Sequence, residues 1–170
     1  DGETYLNICN AITTKVPDMH IHAFSPLEIT HGATSLGISI ENFLIMLKES
    51  GLKTMPGTAA EILDDEVRKN ICPDKLNSNQ WLEVIKTAHR VGIKTTSTIM
   101  FGHQEHIEHW STHLIKLREL QKETGGITEF IPLPFVSMES PMYKRGNARP
   151  GPTFREVLLM HAVARLALHP

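Results

Sequence analysis

The chain has 170 residues, 41% of them hydrophobic and 21% charged, with a formal net charge of −2. Such a composition suits one folded domain with a real core, and the weak charge gives no ground for binding nucleic acid or an acidic membrane surface. No apolar run approaches the length that spans a bilayer, so no membrane partner is expected.

The only cysteines are Cys9 and Cys72, far apart and in no metal-type spacing. Both are expected to be reduced and buried, which suits the cytoplasm or an organelle stroma. The chain opens at Asp1 with no signal-peptide pattern, and its His169-Pro170 end follows a helical pattern; both are read as marks of a fragment or a processed piece.

Residues 3–15 read as a helix. Four strand-like runs follow, Met19–Phe24, Leu52–Met55, Ile93–Phe101 and Ile127–Leu133, separated by helical patterns. Ser39 is a good N-cap for a helix Ile40–Glu49 with an apolar stripe of Phe43, Leu44 and Leu47, and Gly51 suits its end. Asp64 or Asp65 caps a short helix through Ile71, which Pro73 closes. Ser78 is expected to cap the next helix, ended by Gly92. Ile107, Trp110, Leu114 and Leu117 mark a longer one, stopped by Gly125-Gly126. Between Pro134 and Pro152, prolines and glycines break the pattern into a long loop, a length that is usually functional or disordered. Thr153 and Glu156 then form a capping box for a last helix, Phe154–Leu168.

Strands alternating with helices predict an α/β fold with parallel strands and helices outside. Four strands are too few to close a barrel, so the reading is of an open piece of one. Its exposed edges should leave the isolated piece poorly soluble or loosely folded. Residues 1–170 are taken as a single domain.

Chemistry in such folds collects beyond the carboxyl ends of the strands. His20 and His22 alternate onto one strand face, either packed in the sheet, or ligating a metal, or bonding a polar substrate. Ser25 follows them. After the second strand, Met55-Pro56-Gly57-Thr58-Ala59-Ala60-Glu61 offers a glycine that lets a ligand approach the backbone and a carboxylate for hydroxyls or an ammonium. The plainer reading makes it a strand-to-helix turn capped by Thr58. After the third strand comes Met100-Phe101-Gly102-His103-Gln104-Glu105, with an imidazole and a carboxylate at the strand end. His106, His109 and His113 fall beside the apolar stripe of their helix and read as solvated rim positions. Glu129 is a carboxylate in an otherwise apolar strand, pointing either into a polar lumen or to an edge.

These stretches, with Ile71-Cys72-Pro73-Asp74-Lys75 and Gly125–Phe135, resemble the radical S-adenosylmethionine enzymes of the deazaflavin and menaquinone pathways, along the whole chain. The wording His-Ala-Phe-Ser-Pro and Met-Pro-Gly-Thr-Ala-Ala-Glu favours the tyrosine-using FO synthase branch over the aminofutalosine synthase type. The resemblance implies a partial barrel of six strands, of which these four are the third to sixth. It implies a [4Fe–4S] cluster that cleaves S-adenosylmethionine to a 5′-deoxyadenosyl radical. It also implies transfer of a tyrosine-derived 4-hydroxybenzyl fragment to 5-amino-6-(D-ribitylamino)uracil, with the other half of FO synthase as partner.

The family's Cys-x3-Cys-x2-Cys loop is absent, so the cluster ligands are expected outside this chain, which alone should be inactive. On this resemblance Gly57, Thr58, Glu61, Met100 and Gly102 are assigned to S-adenosylmethionine. His20, His22, Ser25, His103, Glu105 and Glu129 are assigned to the substrates. The alternative from residues alone is a metal-dependent barrel hydrolase built on His20, His22 and His103, and a further one is a non-catalytic half-barrel that binds a partner subunit.

Overall fold

The computed structural model describes residues 1–168. His169 and Pro170 lie outside the described residues. The elements run α1 (Gly2–Lys15), β1 (Ile21–His22), α2 (Pro26–Leu36), α3 (Ile40–Glu49), β2 (Leu52–Met55), α4 (Asp65–Ile71), α5 (Ser78–Arg90), β3 (Lys94–Phe101), α6 (Ile107–Thr124), β4 (Ile127–Pro134), α7 (Pro141–Lys144) and α8 (Phe154–Leu168). The four strands form one sheet in the order β1-β2-β3-β4, every pair parallel. The α/β class and sequential parallel order are those read from the sequence. The sheet is open, with β1 and β4 at its edges.

Helix ends follow local side-chain chemistry. Asp1, Ser39 and Asp64 each accept a first-turn backbone N–H of α1, α3 and α4, relieving donors that a helix start leaves unpaired. Thr153 and Glu156 bond reciprocally before α8. Gly125 ends α6 in the left-handed conformation, φ 61°.

Several expectations need correction. The first strand is two residues long, because Phe24 turns to φ 65° and breaks the extended run that Met19–Phe24 promised. Asn77 rather than Ser78 caps α5, since Ser78 is the first helical residue and its hydroxyl bonds Asp65 instead. Helix α2 was not anticipated, although Ser25-Pro26-Leu27-Glu28 is a capping box with proline at the first helical position. The 134–152 loop contains the short helix α7.

Register shows which face is which. Thr54 pairs with Lys94 and Thr96 with Glu129, so these residues share one face of the sheet. The alternate residues of β3 meet helices: Thr95 bonds His89 of α5, and Phe101 stacks edge-on against Trp110 of α6 at 5.4 Å. Helices α1–α3 bury Cys9, Ile29, Phe43 and Leu44 with Ile21, Leu52 and Met55 of β1 and β2. Helices α5, α6 and α8 bury Trp81, Trp110 and Met160 over β3 and the loop that precedes α4. The opposite face carries no helix; it bears His22, Thr54, Lys94, Thr96 and Glu129 toward one end and Met100, Ile131 and Leu133 toward the carboxyl end.

Edge strand β4 carries Pro132 and Pro134. The Phe135 N–H donates to Phe101 O, so beyond the register shift before Glu129 the odd-numbered amides turn toward β3 and even-numbered positions toward the open edge. The prolines therefore remove donors only from the unpaired side, which is where a strand tolerates them. An edge lacking alternate donors resists adding a further strand.

Two histidines brace the sheet against helices. His89 bonds Thr124 of α6 at 2.7 Å and Thr95 of β3 at 3.0 Å. His113, read as a rim residue, is fully buried because the apolar stripe of α6 is wide enough to include it. Burial holds His89 at about 4 and His113 at about 3, so both are neutral in the fold. Unfolded histidine takes its proton near pH 6.5, so the unfolded state binds more protons between 6.5 and 4. Stability is then complete above pH 6.5 and falls as pH drops through that window. Urea unfolding should lose roughly 2 kcal/mol per histidine by pH 4.5. The His89→Gln, His113→Gln double variant should show a shallower pH dependence; an unchanged slope would contradict this account.

Candidate active site

Each of the first three strands leaves the sheet through a left-handed residue. These are Phe24 (φ 65°) after β1, Ala59 (57°) and Glu61 (47°) after β2, and Gly102 (95°) after β3. Non-glycine residues rarely adopt this conformation and hold it only where surroundings enforce it. The carboxyl ends of the strands are therefore where strain collects.

The segment after β2 shows the enforcement. It has no regular structure before α4, yet every carbonyl from 57 to 63 accepts a hydrogen bond, and the N–H groups of Gly57 and Leu63 donate one. The Gly57 N–H donates to Thr96 Oγ1 at 3.0 Å, and Gly57 O accepts from Thr98 Oγ1 at 2.9 Å. Thr58 O accepts from Trp81 Nε1, and Glu61 O from the Met100 N–H at 2.7 Å. The carbonyls of Ala59, Ala60 and Ile62 accept from Arg68. The Leu63 N–H donates to His113 Nδ1 and Leu63 O accepts from Lys116 Nζ. Thr58 caps no helix, since α4 starts at Asp65.

Glu61 emerges from this scaffold with Oε1 2.5 Å from Lys75 Nζ. Its side chain is 14% exposed and that of Lys75 35%. Both reach the surface beside the end of β3. Lys75 is a site residue that the sequence reading missed; its place in Cys-Pro-Asp-Lys carries no signal of its own without the fold.

At the end of β3 the Glu105 carboxylate folds back under its own loop. Oε1 accepts from the Gly102 N–H at 2.5 Å and Trp110 Nε1 at 2.9 Å, and Oε2 accepts from the His103 N–H at 2.9 Å. Arg149 Nη2 of the long loop lies 3.5 Å away. Burial pushes this carboxyl up, but the facing imidazole and these donors outweigh it and hold it below the usual carboxylate range.

His103 is 2% exposed. Burial pushes its imidazole down, against the pull of Glu105, the Met100 carbonyl and Glu61. Nδ1 lies 2.7 Å from the Gln104 nitrogen and 3.0 Å from Glu105 Oε2, and Nε2 lies 3.1 Å from Met100 O. His103 and Glu105 thus shape the β3 exit, each with its polar atoms already engaged.

The glycines prove to be demanded by the chain. A Cβ on Gly57 would lie 2.1 Å from Thr96 O, and one on Gly102 would lie 2.2 Å from Pro152 Cδ. Both give room to neighbouring segments of this protein. Ser25 is occupied as the α2 cap, with Oγ 2.7 Å from Glu28 Oε2.

The bare sheet face carries a second group. His20 Nε2 and His22 Nδ1 lie 2.8 and 2.7 Å from the same Thr54 hydroxyl. One hydroxyl has one proton, so it donates to one imidazole and accepts from the other. Both rings remain exposed. Glu129, two strands across from Thr54, is also exposed and in register with Thr96. It lies besides against a groove of about 480 Å³ shared with His161 and Arg165 of α8. The structure thus places His20, His22 and Glu129 on one face, and Glu61, Met100, Gly102, His103 and Glu105 at the strand ends.

No group of three His, Cys, Asp or Glu side chains able to hold a metal ion exists among the described residues. His103 has both ring nitrogens engaged away from His20 and His22, which removes the three-histidine hydrolase arrangement. Nor do the thiols suit an iron–sulfur cluster: Cys9 is packed among α1–α3 and Cys72 ends α4, and burial raises both above the ordinary thiol value.

An open parallel sheet with helices on one face and left-handed strand exits has the architecture of a barrel segment. Residues 8–117 match the model of the Radical SAM superfamily, and the chain belongs to that superfamily. It is 53% identical over 165 residues to an FO synthase of Mycobacterium leprae, covering 97% of this chain and 19% of the relative. It is 51% identical over 169 residues to an FO synthase of Streptomyces coelicolor, covering 99% and 20%. It is 51% identical over 159 residues to the 5-amino-6-(D-ribitylamino)uracil--L-tyrosine 4-hydroxyphenyl transferase of Methanococcus aeolicus, covering 94% and 44%. The chain therefore spans a fifth of these synthases and under half of the transferase. No helix among the described residues is long and apolar enough to cross a membrane.

Replacing Glu105 by Gln keeps its shape but removes the charge and turns an amide donor toward backbone and indole donors. Unfolding free energy should fall by about 2–4 kcal/mol, the scale for several charge-assisted bonds left mismatched. Urea denaturation checks it, and a loss under 0.5 kcal/mol, the usual size of a surface change, would show the network is dispensable.

Proposed function

We propose that this chain is the substrate- and S-adenosylmethionine-facing part of a radical transferase in deazaflavin formation. The transferase joins a tyrosine-derived 4-hydroxybenzyl fragment to 5-amino-6-(D-ribitylamino)uracil. The observation that carries the reading is the identity of about half the residues to FO synthases and to a transferase named for those two substrates, sustained over nearly the whole chain. On this reading residues 1–170 are one domain, the carboxyl-terminal part of the barrel. The [4Fe–4S] cluster, which supplies the reductive cleavage of S-adenosylmethionine in this superfamily, is held by residues outside this chain. The other half of FO synthase is the partner.

The residues divide by chemistry. Gly57, Thr58, Glu61, Met100 and Gly102 form the S-adenosylmethionine wall. Glu61 is suited to this because Oε2 has no partner among the described residues and can accept from a ribose hydroxyl or the methionine ammonium. Gly57 and Gly102 act indirectly, by letting the loops that present Glu61 and Met100 lie against β3 and Pro152. His20, His22 and Glu129 meet tyrosine or the diaminouracil, both of which carry several donors that need acceptors once water is excluded. Ser25, His103 and Glu105 belong to the same wall as groups that shape it.

Within the protein that carries the complete barrel, His22→Ala and Glu129→Ala should each slow adduct formation by about 5- to 150-fold, as for one buried donor left unpaired. Deoxyadenosine should still form. Single-turnover assays separate the two products. Wild-type adduct formation in both variants would remove these residues from the substrate wall.

A further inference from the structure

Arg68 lies in the middle of α4 and is 3% exposed. Among the described residues it has no ion-pair partner. Asp65, which feels its charge, bonds the N–H and hydroxyl of Ser78 instead. All the hydrogen bonds of Arg68 go to backbone carbonyls. Nε donates to Leu76 O at 2.9 Å; Nη1 donates to Ala60 O and to Ile62 O at 3.2 Å; Nη2 donates to Ala59 O at 3.4 Å and to Leu76 O. A guanidinium has five donors, and all are used.

A buried charge without a counterion is an expensive way to stabilise a fold, and an apolar residue would pack α4 as well. What the planar fork supplies is geometry. Its acceptors are the residues on both sides of Glu61 and the residue after Lys75. Ala59 and Glu61 both hold left-handed backbones, which turn the carbonyls of 59, 60 and 62 inward. One rigid side chain thus joins the two backbone segments that bear Glu61 and Lys75.

We propose that Arg68 is a positioning residue for ligand binding: it fixes the Glu61–Lys75 pair so that the Glu61 carboxylate meets the ligand in one orientation. This deepens the assignment of Glu61 to S-adenosylmethionine and rests on it for the identity of the ligand. Lys75 holds one carboxylate oxygen and leaves the other free. Arg68 acts through both and touches no ligand.

The test uses the chain with S-adenosylhomocysteine as probe, titrated by calorimetry. Arg68→Lys, which keeps the charge and loses the fork, should weaken binding about tenfold, and Glu61→Gln should weaken it comparably. Combining them should cost no more than either alone, because an unplaced carboxylate has nothing left to lose. Trp81→Phe removes a donor from the same loop at Thr58 O and should change binding less than about twofold. Wild-type affinity in a folded Arg68→Lys chain, or fully multiplicative losses in the double variant, would overturn the proposal.

A ligand-free measurement separates it from the reading of the site. In a urea double-mutant cycle, Glu61→Gln and Lys75→Met should couple by about threefold in the unfolding constant with Arg68 present, and not at all in the Arg68→Lys background. If the unsubstituted chain binds no S-adenosylhomocysteine, the ligand assignment fails and this cycle alone decides the positioning role; persistent coupling refutes it. In the unsubstituted chain, which needs no variant to fold, the Arg68 Nε–H should exchange slowly with solvent by NMR. Fast exchange would show that the fork is not closed on its carbonyls and would equally refute it.

Discussion

An irregular buried backbone must find a hydrogen-bond partner for each of its polar groups, and the segment between β2 and α4 is where this constraint bears hardest. Gly57 to Leu63 have no strand or helix to satisfy them. Their seven carbonyls, and the N–H groups of Gly57 and Leu63, find partners in Thr96, Thr98 and Met100 of β3, Arg68 of α4, Trp81 of α5, and His113 and Lys116 of α6. The loop therefore ties together the elements around it, and its shape is over-determined. Left-handed Ala59 and Glu61 survive because of this, and Glu61 reaches the carboxyl edge of the sheet because of them.

The same economy operates at the end of β3. A carboxylate that could face a ligand closes its own strand-to-helix loop, with backbone and indole donors in place of water. Arg149 and the Gln104 contact with Asn147 O bring the long loop after β4 onto this exit. Three successive strand exits are thereby held by polar groups within the protein. On the face of the sheet without helices, His20, His22 and Glu129 stay exposed.

The edges complete this picture. β1 ends after two residues at a left-handed Phe24, and β4 carries prolines whose missing donors face outward. The β4 edge is chemically unsuited to further pairing, whereas β1 is merely short.

Strand and helix identity was legible in the sequence because it rests on local periodicity and caps. Leu52–Met55, Ile40–Glu49 and the capping box at Thr153 and Glu156 needed no tertiary information. The parallel order followed from alternation of strands with helices, and the superfamily from motif wording. Local patterns could also mislead: His113 looked solvated while it lay under the stripe of α6. What only the tertiary structure decided was which polar atoms remain free. Glycines 57 and 102 make room for Thr96 O and Pro152, Glu105 is consumed by its own loop, and Arg68 and Lys75 acquire meaning from carbonyls and a carboxylate that lie elsewhere along the chain. Hydrogen-bond satisfaction is settled by three-dimensional neighbours, and no spacing along a sequence encodes it.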